Sequence, residues 1–349
     1  VANIDSGVQY THPALIGQYR GNLGGGNFDH NYNWFDPVGN TTAPTASGSH
    51  GTHVMGTMVS NPPGQPAMGV APGARWIAAR ACDTLNCTDS NIIAAAQWML
   101  APTDLNGNNP QPSRRPHILN NSWAFSSGGN PIYTGYTAAW KAAGIFTTFA
   151  AGNTGNTTCR TIASPGDYAD VVAVGAIRQD DRLALFSAIG PTIDGRIKPD
   201  LVAPGVGIYS TDPSNPTGYN ALSGTSMAAP HVAGTVALLW SANPQLIGDY
   251  DATYAFLTNT AFPITGDPAF MGPTYSACRP IGVPNNIYGY GRLDAFTAVA
   301  AAKVDIPWLI LPPTPTATLT SSGNTTLSIT LDARKVPGPG VYSARLLIY

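Results

Sequence analysis

Residues Ser223–His231 read SGTSMAAPH, and they place Ser226 near the start of a stretch with helical spacing, Ala228–Trp240. A serine hydroxyl is a poor nucleophile unless a base removes its proton, and that base needs an acid to fix its tautomer. His231 follows Ser226 by five residues along the same predicted helix, so the two side chains point in different directions. We therefore expect the base and the acid to come from earlier in the chain.

Two earlier segments supply these residue types beside glycine. Asp5 stands in Ile4–Gly7 (IDSG), where an apolar strand ends before a tight turn, and His50 comes directly before the helix-like segment Gly51–Val59. The resulting chain order is acid, histidine, serine. Enzymes of the α/β-hydrolase type have the order serine, acid, histidine, so this order excludes an esterase of that type.

Short apolar runs alternate with stretches of helical spacing along most of the chain. This alternation predicts an α/β fold with a central, mainly parallel sheet and catalytic groups at the strand ends. The predicted strands are Val1–Ile4, Trp76–Ala81, His117–Asn120, Ile145–Ala150, Val171–Ala176 and Asp200–Ala203. The predicted helices are Gly51–Val59, Ser90–Leu100, Gly135–Ala143, Ala228–Trp240 (beginning near Ser226) and one that follows Asp294 to about Lys303.

The composition changes after this last predicted helix. We expect a catalytic domain over residues 1–303, a proline-rich linker over 304–316 and the start of a small β-rich accessory segment over 317–349. Within that last segment, Thr325–Thr330 and Tyr342–Ile348 alternate between apolar and polar residues as strands do.

The charge composition of the 349 residues excludes several classes of protein. Lysine and arginine number 17 against 19 acidic residues, so the chain lacks the basic excess that nucleic-acid binding needs. All 19 acids are aspartate, which excludes HExxH zinc peptidases, EF-hand loops that end in glutamate and glutamate-based glycosidases. The sequence contains no run of about 18 apolar residues, so we predict no membrane span.

The four cysteines allow three pairings. Cys82 and Cys87 lie close together in the chain, whereas Cys159 and Cys278 are far apart. We favour Cys82–Cys87 together with Cys159–Cys278, and reduced buried thiols are the alternative. Because disulfides persist in oxidising compartments, this pairing predicts a secreted, extracellular protein.

Nine segments, in order from residue 1 to about 303, resemble those of the subtilisin-like serine peptidases (the subtilase clan), and within them the bacillopeptidase F type. One such motif is only suggestive, whereas the whole series in the family's order is highly specific. The resemblance implies a subtilisin-like three-layer sandwich and a serine endopeptidase that works through an acyl-enzyme. The matching segments are Val1–Pro13, Ser49–Met58, Gly69–Ala74, Ile93–Pro102, Leu119–Trp123, Ala150–Asn153, Pro199–Pro204, Gly224–His231 and Gly289–Ala295.

The resemblance also implies the roles of individual residues. Asp5 is the orienting acid, His50 the general base and then acid, and Ser226 the nucleophile. Asn153 corresponds to the amide that, with the Ser226 backbone N–H, stabilises the negative oxygen of the tetrahedral intermediate. A preorganised amide and a helix N-terminus suit that oxygen. The residues implied to bind the peptide backbone and to line the specificity pocket are Ser122, Trp123, Ala124, Ala151 and Gly152.

The residues implied to line this pocket predict the substrate preference. Ser122–Ala124 and Ala150–Asn153 contain no aspartate, and the nearest candidate is Asp167. A pocket for lysine or arginine needs a buried carboxylate, because an unpaired cation is costly to desolvate. We therefore predict a preference for large apolar or aromatic residues before the scissile bond (P1), with broad tolerance. A catalytically silent binding protein with the same fold is the alternative, although a decayed enzyme usually loses at least one catalytic residue.

The implied chemistry needs no cofactor, and metal ligation by His50 and His53 lacks a third ligand nearby. Structural Ca²⁺ is possible at Asp29 and Asp36, or through the carbonyls of Asn61–Gln65, where family members often bind it. The resemblance further implies protein or peptide substrates, an N-terminal propeptide in the precursor and a monomer. It also places a few dozen mature residues before the strand of Asp5, so we expect this sequence to be clipped at its N-terminus.

Overall fold

A seven-stranded parallel sheet forms the centre of the protein in a computed structural model that describes residues 1–84, 86–215, 217–302, 309–310 and 330–331. Its strand order is β4-β5-β1-β6-β7-β8-β9, and every neighbouring pair is parallel. The strands are β1 (Ala2–Asp5), β2 (Asn22–Gly24), β3 (Asn27–Phe28), β4 (Trp34–Phe35), β5 (Ile77–Arg80), β6 (Ile118–Asn121), β7 (Phe146–Ala150), β8 (Val172–Ile177), β9 (Leu201–Pro204), β10 (Ile208–Asp212), β11 (Gly218–Leu222), β12 (Leu309–Ile310) and β13 (Thr330–Leu331).

Helices cover both faces of this sheet. They are α1 (Pro13–Ile16), α2 (His50–Val59), α3 (Asp89–Leu100), α4 (Thr134–Ala142), α5 (Thr225–Ala242), α6 (Tyr250–Asn259) and α7 (Ala295–Ala302). One apolar core lies between the sheet and α2, α5 and α7, and a second lies between the sheet and α3 and α4. Parallel strands that are buried on both faces read as continuous apolar runs, which is why the sequence reveals them. The predicted three-layer α/β fold is confirmed.

The six predicted strands correspond to β1 and β5–β9, and the predicted helices correspond to α2–α5 and α7. The helix α6 was not predicted from the sequence. Asp249 caps its N-terminus by accepting the Ala252 N–H at 2.9 Å, and an aspartate at this position is a usual signal for a helix start. It also did not predict the antiparallel hairpin β10–β11. That hairpin is attached to α2 through hydroxyl groups: Ser210 Oγ donates to the His53 carbonyl and Thr211 Oγ1 to the Thr52 carbonyl, each at 2.8 Å.

Two disulfides join Cys82 to Cys87 and Cys159 to Cys278, the pairing that the sequence favours. The second bond links residues 119 positions apart and connects the loop after β7 to the loops after α6. Near the C-terminus, β12 and β13 pair antiparallel. The rest of the predicted linker and accessory segment, including the predicted strand at Tyr342–Ile348, lies outside the described residues.

Candidate active site

Asp5 and His50 meet where β1 ends and α2 begins. His50 Nδ1 donates to Asp5 Oδ1 over 2.8 Å, and the same oxygen accepts the Ser6 N–H at 2.7 Å. Asp5 is 3% exposed, whereas 40% of the His50 side chain is open to solvent. Gly51 permits this approach, because a Cβ there would lie 2.3 Å from the Gly7 carbonyl oxygen and 3.0 Å from Asp5 Oδ1. A buried acid thus lies behind an accessible imidazole.

The surroundings of His50 raise the pKa of its imidazole. Burial disfavours the charged ring, but the negative charge of Asp5 and its hydrogen bond together outweigh burial and hold the pKa above its ordinary value. The bond from Nδ1 to Asp5 also keeps the proton of the neutral ring on Nδ1. Nε2 is therefore the nitrogen that can accept a proton.

Ser226 is the second residue of α5, and Pro230 shapes the turn around it. Proline has no N–H, so Pro230 cannot donate to the Ser226 carbonyl four residues earlier in the helix. The Ser122 hydroxyl donates to that carbonyl instead, over 2.7 Å. In return, Ser226 Oγ donates to the Ser122 carbonyl at 3.0 Å. The reciprocal pair fixes the first turn of α5 against the segment that follows β6.

A series of buried side-chain hydrogen bonds from β7 and β6 holds Ser122 in place. Thr148 Oγ1 on β7 donates to Asn120 Oδ1, and Asn120 Nδ2 on β6 donates to Ser122 Oγ, each over 2.9 Å. Buried polar groups that are satisfied in this way rigidify their surroundings. The position of Ser226 is therefore tied to the centre of the sheet.

Asn153 follows β7 and faces the start of α5. Its Oδ1 accepts the backbone N–H of Thr225 at 3.0 Å and the Thr225 hydroxyl at 2.9 Å. These two bonds orient the amide, and its Nδ2 lies on the side of Gly224, where a Cβ would be 3.5 Å away. N–H groups of the first helical turn, such as that of Ser226, lack the helical partner four residues earlier. The amide and the helix N-terminus thus converge at one place.

The segments implied to line the specificity pocket are joined by main-chain hydrogen bonds. Phe125, which follows Ala124, donates its N–H to the Ser164 carbonyl at 2.8 Å, and Ala163 donates to the Ala151 carbonyl at 3.0 Å. Gly152 has a φ of +111°, and a Cβ there would lie 2.9 Å from Ala163 Cβ. Residues Ser122–Ala124 and Ala151–Gly152 are therefore connected through the stretch that contains Ala163 and Ser164.

Asp167 follows this stretch in the chain and is 5% exposed. Its Oδ2 accepts the Gly129 N–H at 2.6 Å. A Cβ at Gly128 would come within 3.0 Å of the same carboxylate oxygen. One carboxylate oxygen is thus directed to the main chain of the Gly128–Gly129 turn, whereas Oδ1 is buried without a hydrogen-bond partner among the described residues.

The carboxylates that the sequence offers for calcium are engaged by protein donors. Asp36 Oδ1 accepts from Arg80 Nε at 2.8 Å, and Asp29 Oδ1 accepts both the N–H and the side-chain amide of Asn31. Arg80 thus already balances the charge of Asp36, and calcium at Asp29 and Asp36 stays a prediction. Across the described ranges, no group of three or more histidine, cysteine or acidic side chains could hold a metal ion. Calcium at the carbonyls of Asn61–Gln65 stays a prediction.

The two other histidines near the site make main-chain hydrogen bonds. His53 is fully buried and its Nε2 bonds the Ile208 carbonyl at 2.8 Å, which joins α2 to the hairpin β10–β11. His231 Nδ1 bonds the Met227 carbonyl of its own helix at 2.8 Å. Both contacts are consistent with structural roles.

Two residues beside the site were missed by the sequence analysis. Thr225 orients Asn153, and Pro230 leaves the Ser226 carbonyl for Ser122. A proline four residues after the serine was a usable signal for the second contact, because it must leave one carbonyl of the helix without its usual donor. The orientation of Asn153 had no comparable signal.

The fold and the site define an α/β protein of the subtilisin-like class. A model of the subtilase family, Peptidase_S8, matches residues 1–291. Bacillopeptidase F of Bacillus subtilis (strain 168) is 43% identical over 309 residues. Subtilisin NAT of Bacillus subtilis subsp. natto and Subtilisin DY of Bacillus licheniformis are each 33% identical, over 270 and 248 residues. This chain belongs to the subtilase family of serine endopeptidases.

The chain covers different shares of these relatives. The match to Bacillopeptidase F includes 86% of this chain but 20% of that protein. The match to Subtilisin NAT includes 75% of this chain and 62% of the relative, and for Subtilisin DY the shares are 70% and 78%. The described residues contain no helix that is long and apolar enough to cross a membrane.

Proposed function

We propose that this chain is the catalytic domain of a secreted serine endopeptidase with broad specificity. The hydrogen bond between Asp5 and His50 carries the proposal, because it holds an accessible imidazole ready to act as a base. Ser122, which bonds Ser226 in both directions, lines the same cleft as His50. Asp5 and His50 thus line this cleft, and Ser226 is bonded to Ser122, another residue of its wall.

In the proposed mechanism, Ser226 Oγ attacks the carbonyl carbon of the scissile bond and His50 Nε2 takes its proton. Asp5 stabilises the resulting imidazolium, which then gives the proton to the leaving amine. Water hydrolyses the acyl-enzyme by the same steps, with His50 as base and then acid. In the present structure Ser226 Oγ donates to Ser122, so a rotation about Cα–Cβ must turn it toward His50. Such hydrogen bonds often form only when substrate is bound.

Asn153 Nδ2 and the Ser226 N–H are proposed to hold the oxyanion. Replacing Asn153 with leucine keeps the approximate volume and removes the amide donor. Because this bond strengthens when the carbonyl oxygen becomes negative, we expect kcat to fall about 10²–10³-fold, with KM within a few-fold. Steady-state kinetics on a peptide p-nitroanilide measure both kcat and KM. Asn156→Leu is not suitable as a control, because Asn156 is buried. Asn106→Leu, at an exposed loop residue, is the matched control and should keep the kcat of the unmodified protein. If Asn153→Leu lowers the thermal stability but leaves kcat intact, Asn153 has a purely structural role and the oxyanion proposal is wrong.

The substrate preference at P1 is proposed to be large and apolar or aromatic. Ser122–Ala124 and Ala150–Asn153 contain no acidic residue, which supports a pocket whose own walls carry no acid. Asp167 directs one carboxylate oxygen to the Gly129 N–H, and its other oxygen, Oδ1, is buried without a hydrogen-bond partner in the described part of the chain. Each methylene of the substrate is worth only about 1–3 kcal/mol, so the preference should be graded. Peptide p-nitroanilides that end in phenylalanine or leucine should be cut much faster than those that end in arginine or aspartate. A tenfold preference for arginine would contradict the proposal and implicate Asp167, which Asp167→Asn would then test.

Several broader properties belong to the same proposal. Two disulfides support secretion, since such bonds persist outside reducing compartments. Protein or peptide substrates, an N-terminal propeptide in the precursor and a monomeric state are proposed from the family alone. A silent binding protein of the same fold is less well supported, because Asp5, His50, Asn153 and Ser226 are all present and arranged together.

A further inference from the structure

Asn3 is a fully buried polar residue of β1, and the proposed mechanism gives it no part. Its chain neighbours Ala2 and Ile4 belong to the core between the sheet and α3 and α4. Because successive side chains of a strand point to opposite faces, the Asn3 side chain points to the face that α2 and α5 cover. Asp5, two positions later, points to the same face and bonds the His50 ring. Both polar side chains of β1 thus face the helix that carries the proposed base.

The Asn3 amide binds the main chain at the start of α2. Its Nδ2 donates to the carbonyl of Gly51, the residue after His50, over 3.1 Å. The N–H of Gly51 donates to Ser6 Oγ, directly after β1, at 3.0 Å. The main chain next to His50 is therefore held on both sides by β1 and the turn that follows it, while Asp5 holds the imidazole.

Asn3 also extends a row of buried polar side chains across three neighbouring strands. Asn3 of β1 is in register with Asn120 of β6, and Asn120 is in register with Thr148 of β7. All three side chains are fully buried. Asn120 accepts from Thr148 and, through Ser122, anchors the first turn of α5. One end of the row thus holds the helix of the proposed base, and the other end holds the helix of the proposed nucleophile.

The amide of Asn3 is poorly suited to stabilising the fold. Its Oδ1 is buried and has no hydrogen-bond partner among the residues that the structure describes, which costs free energy. The Gly51 carbonyl does not depend on Asn3, since within α2 the N–H four residues later is its donor. An apolar, β-branched side chain would suit a buried strand better. The contribution of this amide is therefore to be sought in the position of α2.

We propose that Asn3 is a positioning residue for His50. By holding the Gly51 carbonyl, its amide keeps the first turn of α2 at the distance from β1 at which Asp5 bonds the imidazole. Without this bond the start of α2 shifts, and His50 Nε2 leaves the place where it takes the proton of Ser226. The inference rests on the proposed function, because it concerns the base of that reaction. A misplacement of about 1 Å can lower a rate about a hundredfold.

Asn3→Val tests this role, because it removes the amide and supplies an apolar, strand-forming side chain. We expect kcat on a peptide p-nitroanilide to fall about 10–100-fold, with KM within a few-fold, since His50 acts on the reacting atoms. The thermal midpoint of unfolding, measured in the Ser226→Ala background, should stay the same or rise. A residue that served the fold alone would give the reverse, a lower thermal midpoint with kcat intact.

Asn285→Val is the matched control. Asn285 is 3% exposed, and its Nδ2 also donates to main-chain carbonyls, those of Ile264 and Gly282, at 3.0 Å each. These residues lie in the loops after α6, and none of them belongs to the candidate site. The control should lower the thermal midpoint and keep the kcat of the unmodified protein.

A second comparison shows whether Asn3 acts through His50. Asp5→Asn disrupts the arrangement of the imidazole directly, so a second change that acts through the same ring has little left to remove. Asn3→Val should therefore lower kcat far less in the Asp5→Asn background than in the unmodified protein. Equal factors in the two backgrounds would contradict the inference.

The remaining outcomes separate this inference from the proposed function. Unchanged kcat in folded Asn3→Val would overturn the role of Asn3 and leave the peptidase intact. If Asn3→Val does not fold, Asn3→Ala, which adds no bulk, takes its place in the kinetic measurements. Failure of both variants to fold would assign Asn3 to the fold and overturn the inference as well. Failure of the unmodified, folded protein to cleave the peptide would instead contradict the proposed function.

Discussion

Replacing Ser226 with alanine is expected to lower kcat about a million-fold, and His50→Ala by a similar factor, magnitudes that are those known for subtilisin. Asp5→Ala should cost somewhat less, because His50 keeps its position on α2 after its partner is lost. The physical reason is that Ser226 Oγ needs His50 to take its proton, and His50 needs Asp5 to fix its tautomer. Hydrolysis of a peptide p-nitroanilide by each purified variant measures these losses.

The double variant Ser226→Ala/His50→Ala distinguishes a shared mechanism from two independent contributions. Residues that act as one unit give losses that do not multiply, so the double variant should be hardly worse than either single variant. Ser113→Ala changes an exposed serine in the turn Pro112–Arg114 and should retain full activity. Losses that multiply would contradict the proposed triad, provided that all variants keep the thermal unfolding of the unmodified protein.

Removal of the Cys159–Cys278 disulfide is expected to lower the free energy of unfolding by roughly 5 kcal/mol. The bond closes a loop across 119 positions, so it restrains the unfolded chain more than Cys82–Cys87, which spans 5. In the same chain-entropy treatment, the shorter loop is worth roughly 2 kcal/mol. Chemical denaturation of Cys159→Ser/Cys278→Ser and of Cys82→Ser/Cys87→Ser measures both values.

These denaturation experiments should be made in the Ser226→Ala background, which prevents self-digestion of unfolded chains. Equal losses for the two pairs would contradict the loop-length explanation. Peptide mapping under non-reducing conditions supplies the second check. Recovery of all four thiols in free form from native, exported protein would contradict both the pairing and the proposed secretion.

The sheet could be predicted because its strands are buried on both faces and therefore form continuous apolar runs. Every residue of Val172–Ile177 is buried, for example, and the sequence shows an unbroken small and apolar segment there. The hairpin Ile208–Asp212 with Gly218–Leu222 could not be predicted in this way. Its second strand is largely half-exposed, and its attachment to α2 depends on hydroxyl groups, which leave no hydrophobic pattern.

In the candidate site, likewise, features that are local in the sequence could be predicted, whereas contacts between distant residues could not. Asp5, His50 and Ser226 each stand beside glycine in a recognisable local segment, so chain order was enough to propose them. The bonds between Ser122 and Ser226 join residues 104 positions apart, and only the folded structure brings them together. Likewise, only the structure shows that Cys82 and Cys87 border the same cleft as His50.

The most direct test of the proposed triad is the rate at which a fluorophosphonate probe labels Ser226 as a function of pH. Only neutral His50 can take the serine proton, and Asp5 raises the pKa of His50 above the ordinary value of about 6.5. Labelling should therefore occur at Ser226 and accelerate through a midpoint above pH 6.5. Asp5→Asn should slow labelling and move the midpoint to lower pH, since burial alone then acts on the imidazole. Absence of labelling in folded protein, or a midpoint that Asp5→Asn leaves in place, would contradict the triad.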